Sequence, residues 1–230
     1  MPWSLLLVHS PLLGPSSWRP FATLASQLGY ELALPDLTDV ANAPQPRWKH
    51  FVEAAASAGH ELSRPTLVVG HSGAGVFLPE IARQLDAAET ALCFVDAVVP
   101  PEGGAHTTPV QMEDVLDEQS TDGVLAQWID WWPDEVIEEL LPDPSDRAAL
   151  RADMPRLPRA FYDESVPVPD GWSDRPCCYL RLSAAYDGAL EAAQTWRWPT
   201  ESRDFSHLSI YTDPRQVLEA VAGLAGRLSA

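Results

Sequence analysis

The chain has 230 residues, of which 46% are hydrophobic and 21% charged, as in one folded globular domain of ordinary size. Its formal net charge of −18 disfavours nucleic acids and anionic membranes as partners, because Coulomb repulsion opposes both. The N-terminal apolar run ends at His9 and no basic residue precedes it, so we expect neither a signal peptide nor a membrane span.

Strand and helix patterns alternate over residues 1–99. Short apolar runs predict strands at Trp3–Val8, Glu31–Leu34, Thr66–Val69 and Ala91–Val99. Apolar residues at helical spacing predict helices at Ser17–Leu28, Trp48–Leu62 and Ala74–Leu85. Such alternation is typical of a parallel sheet that is covered by helices on both faces.

The alternation of strand and helix patterns ends at Pro100, and no strand pattern is evident between Pro100 and Pro176. Prolines separate five short helical patterns there: Pro109–Gln119, Asp122–Trp131, Pro133–Leu140, Pro144–Asp153 and Arg159–Asp163. The stretch holds 18 acidic and 5 basic residues, and hence most of the net charge. We predict that residues 100–176 form a helical cap inserted into a single core domain made of residues 1–99 and 177–230.

The sheet pattern returns in the last part of the chain. Strands are predicted at Cys177–Leu182 and Trp196–Thr200, with a helix at Leu190–Thr195 between them. Asp213 before Pro214 is a helix-start signal, and the closing helix is predicted to run to about Leu228. The predicted fold class is therefore α/β, with a mostly parallel sheet of about six strands.

The sequence "LVVGHSGAG" around Ser72 carries the strongest chemical signal. A buried strand leads into it, a helix follows it, and small residues surround the serine. A sharp strand-to-helix turn needs such small neighbours, and it holds the central hydroxyl above the sheet edge at a helix N-terminus. The N–H of Gly73 would then face a developing oxyanion.

This motif resembles the nucleophile elbow of the α/β-hydrolase superfamily, with Ala74 in place of the last glycine of G-x-S-x-G. Three further stretches resemble the superfamily's strands and loops: "LLLVHSPLLGPSSW", "GYELALPDL" and "ALCFVDAVVP". The chain is most similar to the compact branch that includes plant esterases and hydroxynitrile lyases. The resemblance implies an α/β-hydrolase fold, a serine nucleophile at Ser72 and no cofactor.

The resemblance also implies a histidine base and a carboxylate that orients it. His207, in "DFSHLSIYTDP", matches the late histidine loop, with Ser206 at the position of the usual glycine. Two carboxylates compete for the acid: Asp187, after the strand that follows the cap, and Asp96, at the end of the preceding strand. We prefer Asp187, since it gives the usual order Ser, Asp, His and lies on a loop that could meet His207.

The second oxyanion donor is expected from the loop after the first strand, where this chain departs from the H-G-x pattern. The aligned residue is Pro11, which has no N–H. Leu12 N–H could donate through a shifted loop, Ser10 Oγ could donate instead, or the site could stabilise an oxyanion only weakly. The third case favours a lyase, a cyclase or a binding protein.

The remaining candidates concern the pocket and the thiols. His71 beside the nucleophile is predicted either to pack or to line an apolar substrate pocket. Trp128, Trp131 and Trp132 of the cap either line this pocket or bury the cap against the sheet. The three cysteines, Cys93, Cys177 and Cys178, lack zinc-site spacing and indicate reduced thiols in a cytoplasmic protein. No metal site is predicted, and the expected partner is a small-molecule substrate.

We therefore predict a serine hydrolase that acts on a small to medium hydrophobic ester, thioester or lactone. One alternative is a lyase or cyclase that uses Ser72 and His207 for acid/base chemistry without an acyl-enzyme. The other is a hydrolase-fold protein that binds a ligand and has lost the reaction.

Overall fold

The computed structural model describes residues 3–85 and 89–228. In chain order, its strands are β1 (Ser4–Val8), β2 (Leu32–Ala33), β3 (Thr66–Ser72), β4 (Thr90–Ala97), β5 (Gly104–His106), β6 (Ser120–Thr121), β7 (Val124–Leu125), β8 (Val166–Val168), β9 (Cys177–Arg181) and β10 (Thr200–Ser202). Its α-helices are α1 (Arg19–Gln27), α2 (Arg47–His60), α3 (Leu78–Gln84), α4 (Val110–Glu118), α5 (Asp134–Leu140), α6 (Pro144–Arg151), α7 (Asp187–Thr195), α8 (Ser209–Thr212) and α9 (Pro214–Leu228).

The central sheet has six parallel strands in the order β10-β9-β4-β3-β1-β2. Strand β3 lies between β1 and β4, with Leu67 beside Leu5 and Ala91 on its two sides. The predicted α/β class and its sheet of about six strands are confirmed. The carboxyl ends of β3, β4 and β9 lie side by side, which is where ligands bind in sheets of this kind.

Both faces of the sheet are buried under helices. Leu5 and Leu7 of β1 pack with α1 and α9, whereas Leu6 and Val8 pack with α2 and α3. Continuous apolar runs such as "LLLV" are needed because buried parallel strands have no solvent-facing side. The three cysteines are unpaired and buried, as their positions in strands require.

Residues 100–176 differ from the all-helical prediction. Two small antiparallel sheets form there, β5 with β8 and β6 with β7. The predicted helix Asp122–Trp131 is wrong, because Asp122 and Gly123 adopt positive φ angles of 53° and 76° and turn the chain from β6 into β7. An Asp-Gly pair is a strong hairpin signal that outweighs a short helical pattern. Only Trp128–Trp131 forms a short 3₁₀ helix.

The segment 100–176 contacts the core above the loop that follows β1. Asp153 accepts hydrogen bonds from the backbone N–H of Ser16, at 2.9 Å, and from its hydroxyl. A Cβ atom at Gly14 would overlap the Asp153 side chain, so the loop passes this carboxylate closely. An apolar cluster joins the two regions: Leu13, Ile129, Ile137, Leu141, Leu150, Met154 and Leu208.

Residues 1, 2, 86–88, 229 and 230 of the predicted core ranges 1–99 and 177–230 lie outside the described residues. The predicted strand Trp196–Thr200 begins only at Thr200, because Arg197 has a φ angle of 57° and breaks the extended backbone. Over residues 3–85 and 89–228, no helix is both long and apolar enough to cross a membrane.

Candidate active site

Ser72 stands at a strained turn between β3 and the 3₁₀ helix Gly73–Phe77 that leads into α3. Its φ and ψ angles are 59° and −128°, a conformation that a non-glycine residue adopts only when its surroundings enforce it. A Cβ atom at Gly75 would overlap the carbonyl oxygen of Val98, so the turn packs directly against the backbone after β4. The predicted strand-to-helix turn is therefore present, and close backbone approach requires its glycine at position 75.

Asp96 reaches the site because β4 has an irregularity at that position. His71 pairs with Val95 and Ser72 pairs with Ala97, so Asp96 is an extra residue in β4, with a φ angle of 44°. A bulge of this kind redirects a side chain at the end of a strand. The Asp96 carboxylate is fully buried, and it accepts hydrogen bonds from the backbone N–H groups of Leu182 and Ser183 at 2.8 and 2.9 Å.

His207 donates from Nδ1 to Asp96 Oδ2 over 2.7 Å. Burial opposes the charge on Asp96, but the hydrogen bond and charge of His207, with hydrogen bonds from Ser183, outweigh it and hold the pKa of Asp96 below its ordinary value. With a proton on Nδ1, the neutral imidazole presents the lone pair of Nε2, which is the form a general base needs.

The structure corrects the preference for Asp187 as the partner of His207. Asp187 Oδ1 accepts a hydrogen bond from Arg181 Nε at 2.7 Å, and its side chain is 57% exposed. Asp187 begins α7, so its carboxylate lies at a helix N-terminus beside a cation and does not reach the imidazole. The position beside His207 belongs to Asp96.

His71 does not line the pocket as predicted. Its ring is fully buried beneath the site, with its centroid 4.4 Å from that of the His207 ring. His71 donates from Nε2 to the backbone carbonyl of His207 over 2.9 Å and so holds the loop that carries the base. Burial, together with the charge of His207, lowers the pKa of His71 to about 3, so this imidazole is neutral at physiological pH.

Tyr186 is a site residue that no sequence pattern singles out. Its hydroxyl lies 3.0 Å from Ser72 Oγ, and its ring stacks on that of His207 with centroids 5.1 Å apart and planes 7° apart. The available signal was its place directly before Asp187, on the loop expected to face His207. Burial raises the pKa of Tyr186 to about 12 even though its hydrogen bond with Ser72 acts in the opposite direction.

The loop after β1 forms a tight turn opposite Gly73. Leu13 N–H donates to the carbonyl of Ser10 over 3.0 Å, with Pro11 second in the turn, as proline favours. Leu12 N–H is directed at Ser10 Oγ over 3.4 Å. Ser10 Oγ also lies 3.4 Å from where a Cβ atom of Gly73 would be, so Ser10 lies beside the elbow, and Leu12 N–H reaches it only through Ser10 Oγ.

A cavity of about 1270 Å³ opens from Ser72 toward the segment 100–176. Trp128, Trp131 and Trp132 line it, as predicted, together with further aromatic residues, and the Trp128 ring lies 6.1 Å from that of His207. Among the described residues that line the cavity there is no lysine or arginine, whereas four carry carboxylates: Glu139, Glu164, Asp204 and Asp213.

The model of the Alpha/beta hydrolase family matches residues 5–220. No curated protein matches this chain.

Solved structures with the same fold cover nearly the whole chain. A pyrethroid hydrolase from Sphingobium faniae JZ-2 is 17% identical with a TM-score of 0.70, over 97% of each chain. An extracellular α/β-hydrolase from a Paenibacillus species is 15% identical with a TM-score of 0.73, over 97% of this chain and 99% of that one. Tomato methylketone synthase I, solved with 2-tridecanone, is 14% identical with a TM-score of 0.76, over 99% of each chain. At these identities the likeness shows a shared fold.

Proposed function

The chain belongs to the α/β hydrolase family, and on that premise we propose that it is a serine hydrolase that cleaves a hydrophobic ester, thioester or lactone. The observation that carries the proposal is the 2.7 Å hydrogen bond from His207 to buried Asp96. Ser72 stands at a strained turn in the same cavity, and Tyr186 links it to His207 by a hydrogen bond to Ser72 and a stacked ring on His207. The roles are Ser72 as nucleophile, His207 as general base and Asp96 as the carboxylate that orients the base.

The proposed reaction has two halves. Ser72 Oγ attacks the carbonyl carbon while its proton passes to His207 Nε2, and the new oxyanion accepts a hydrogen bond from Gly73 N–H. His207 then returns this proton to the leaving alcohol or thiol, which departs as the C–O or C–S bond breaks. Water, deprotonated by His207, hydrolyses the acyl-enzyme and releases the acid and free Ser72.

The cavity supports a substrate that is apolar and carries no negative charge. Its volume of about 1270 Å³ exceeds the usual range of about 300–1,000 Å³ for ligand pockets, so it can hold substrates larger than the small to medium ones predicted. The Trp128 and Trp131 side chains offer apolar surface to an acyl or alcohol group. The lining carboxylates Glu139 and Asp204 repel an anionic substrate such as an acyl-CoA.

A second candidate function is a lyase or cyclase reaction at the same site. It is favoured by one observation: Pro11 cannot donate an N–H to an oxyanion. In this reaction Ser72 and His207 would relay a proton, and no acyl-enzyme would form. Several reactions share this fold, so the fold itself does not decide between the two.

Labelling with a fluorophosphonate, with the Ser72→Ala variant as control, tests the serine hydrolase. We expect a single adduct on Ser72 in the wild type, turnover of short aryl esters, and neither result in the variant. Hydrolysis in ¹⁸O-labelled water should place one ¹⁸O atom in the acid product. Absence of both labelling and ester turnover would contradict the hydrolase, and a product formed without solvent oxygen would favour the lyase.

A further inference from the structure

The oxyanion site has one evident backbone donor, the N–H of Gly73. Pro11 supplies none, and Leu12 N–H is directed at Ser10 Oγ within its own turn. The Ser10 carbonyl accepts from both Leu13 N–H and His9 Nδ1, so the turn is fixed at two points. A shift that would aim Leu12 N–H at the carbonyl oxygen of a substrate would strain these bonds.

Tyr186 brings a second hydroxyl within hydrogen-bond distance of the nucleophile. Its Oη lies 3.0 Å from Ser72 Oγ, close to where the oxygen atoms of a tetrahedral intermediate on Ser72 would be. The ring is fixed by its stacking on His207, and the residue ends the short 3₁₀ helix Ala184–Tyr186 that leads into α7. Tyr186 also lines the cavity, so it reaches both the nucleophile and the substrate.

The phenol is suited to donate a hydrogen bond. Because burial raises its pKa to about 12, Tyr186 keeps its proton near neutral pH. His207 Nε2 requires the proton of Ser72 as the reaction begins, so the bond between the two hydroxyls must be donated by Tyr186 at that point. Donation to an oxygen that gains negative charge is stronger than donation to a neutral one.

We infer that Tyr186 is a further catalytic residue, whose O–H donates to Ser72 Oγ at rest and to the oxyanion during acylation, in place of the N–H that Pro11 lacks. The inference rests on the proposed function. No proton is transferred to or from Tyr186: the Ser72 proton goes to His207, the Oγ–C bond forms, and the carbonyl electron pair becomes the oxyanion that Gly73 and Tyr186 bind.

Tyr186→Phe removes the hydroxyl and keeps the ring that stacks on His207. We expect kcat to fall by about 10²–10³-fold with KM little changed, as when one oxyanion donor is lost. Tyr211→Phe is the matched control, because Tyr211 also has a pKa raised to about 12 by burial and its hydrogen bond to Asp146, yet its hydroxyl lies outside the cavity. The control should retain wild-type kcat, and thermal unfolding of both variants checks that they are folded.

Two esters with the same acyl group test whether Tyr186 donates to the oxyanion or to the leaving group. One ester has a 4-nitrophenyl leaving group and the other an alkyl leaving group. An oxyanion donor predicts the same loss for both esters. A loss under tenfold, or one confined to the alkyl ester, overturns the inference while wild-type turnover leaves the proposed function intact. A wild type that neither turns over esters nor reacts with the fluorophosphonate overturns the proposed function itself, and the inference with it.

Discussion

The central sheet and the segment 100–176 contribute to the site in different ways. Ser72 and Asp96 lie at the carboxyl ends of the neighbouring parallel strands β3 and β4, and Tyr186 lies on the loop after β9. The segment consists of short elements separated by prolines, and it leaves large apolar side chains exposed, such as Val110 at 72% and Trp132 at 44%. The sheet therefore holds the proposed reacting groups, and the segment supplies much of the cavity wall. Substitutions in the two regions should then affect different kinetic constants.

The largest expected effect is that of Asp96→Asn. The amide would no longer fix the Nδ1–H tautomer of His207 or stabilise its imidazolium, and we expect kcat to fall by about 10⁴-fold. Steady-state kinetics with a 4-nitrophenyl ester would measure this loss, and circular dichroism would verify the fold.

Asp187→Asn is the matched control for this prediction. The Asp187 side chain is 57% exposed and its partner is Arg181, so we expect kcat within about twofold of the wild type. If Asp187→Asn caused the larger loss, the assignment of Asp96 as the orienting carboxylate would be wrong.

These two aspartates show how far the sequence predicts the site. Ser72 was predictable because a buried strand, small residues and a helix surround it in a local pattern. The choice between Asp96 and Asp187 was not, because it depends on a bulge that pairs Ser72 with Ala97 and turns Asp96 toward His207. A one-residue shift in the pairing of two strands cannot be predicted from the spacing of residues within either strand.

The same limit applies to the longer-range parts of the structure. The alternation of apolar runs and helical patterns predicted the central sheet, since buried parallel strands must be apolar on both faces. The Tyr186 contact with Ser72 joins residues 114 positions apart, and no local pattern reports such a contact. In the segment, the positive φ angles of Asp122 and Gly123 override the helical spacing around them.

The next largest effect is expected in the elbow of the sheet region. Gly75→Ala would place a Cβ atom on the carbonyl oxygen of Val98. Both contacting groups belong to the backbone, of the turn after β3 and of the chain after β4, so neither can move aside as a flexible side chain could. We expect the free energy of unfolding to fall by about 3 kcal/mol, at the upper end for overpacking, with loss of activity as Ser72 moves. Urea denaturation would measure the change.

Gly188→Ala serves as the control for this substitution. Gly188 lies in α7, and a Cβ atom there would meet nothing within 4 Å, so the free energy of unfolding should stay the same or rise by up to about 1 kcal/mol. Equal stability of the two variants would show that the elbow tolerates a side chain at position 75.

A smaller effect is expected from His71, through pH. Burial holds its pKa at about 3 in the folded state against 6.5 ordinarily, so the unfolded chain binds a proton between these values that the folded chain does not. This proton makes the free energy of unfolding fall by about 1.4 kcal/mol for each unit that the pH drops through that window. His71→Asn removes the contribution, so the variant's stability should depend less steeply on pH, as urea titrations between pH 6 and pH 4 would measure. Parallel curves for the two proteins would contradict the buried neutral imidazole.

The smallest effect is expected in the segment, from Trp128→Ala. Trp128 lines the cavity beside His207 and makes no hydrogen bond to the reacting groups among the described residues. We expect kcat/KM for a bulky naphthyl ester to fall by about tenfold, mainly through KM, because apolar surface for the substrate is lost. Turnover of a short acetyl ester should change by less than about threefold, since Asp96 and the backbone of the sheet region hold Ser72 and His207 without a hydrogen bond from Trp128. An equal loss of kcat for both esters would mean that the segment 100–176 also helps to position Ser72 and His207. The two regions would then not have separate effects on kcat and KM.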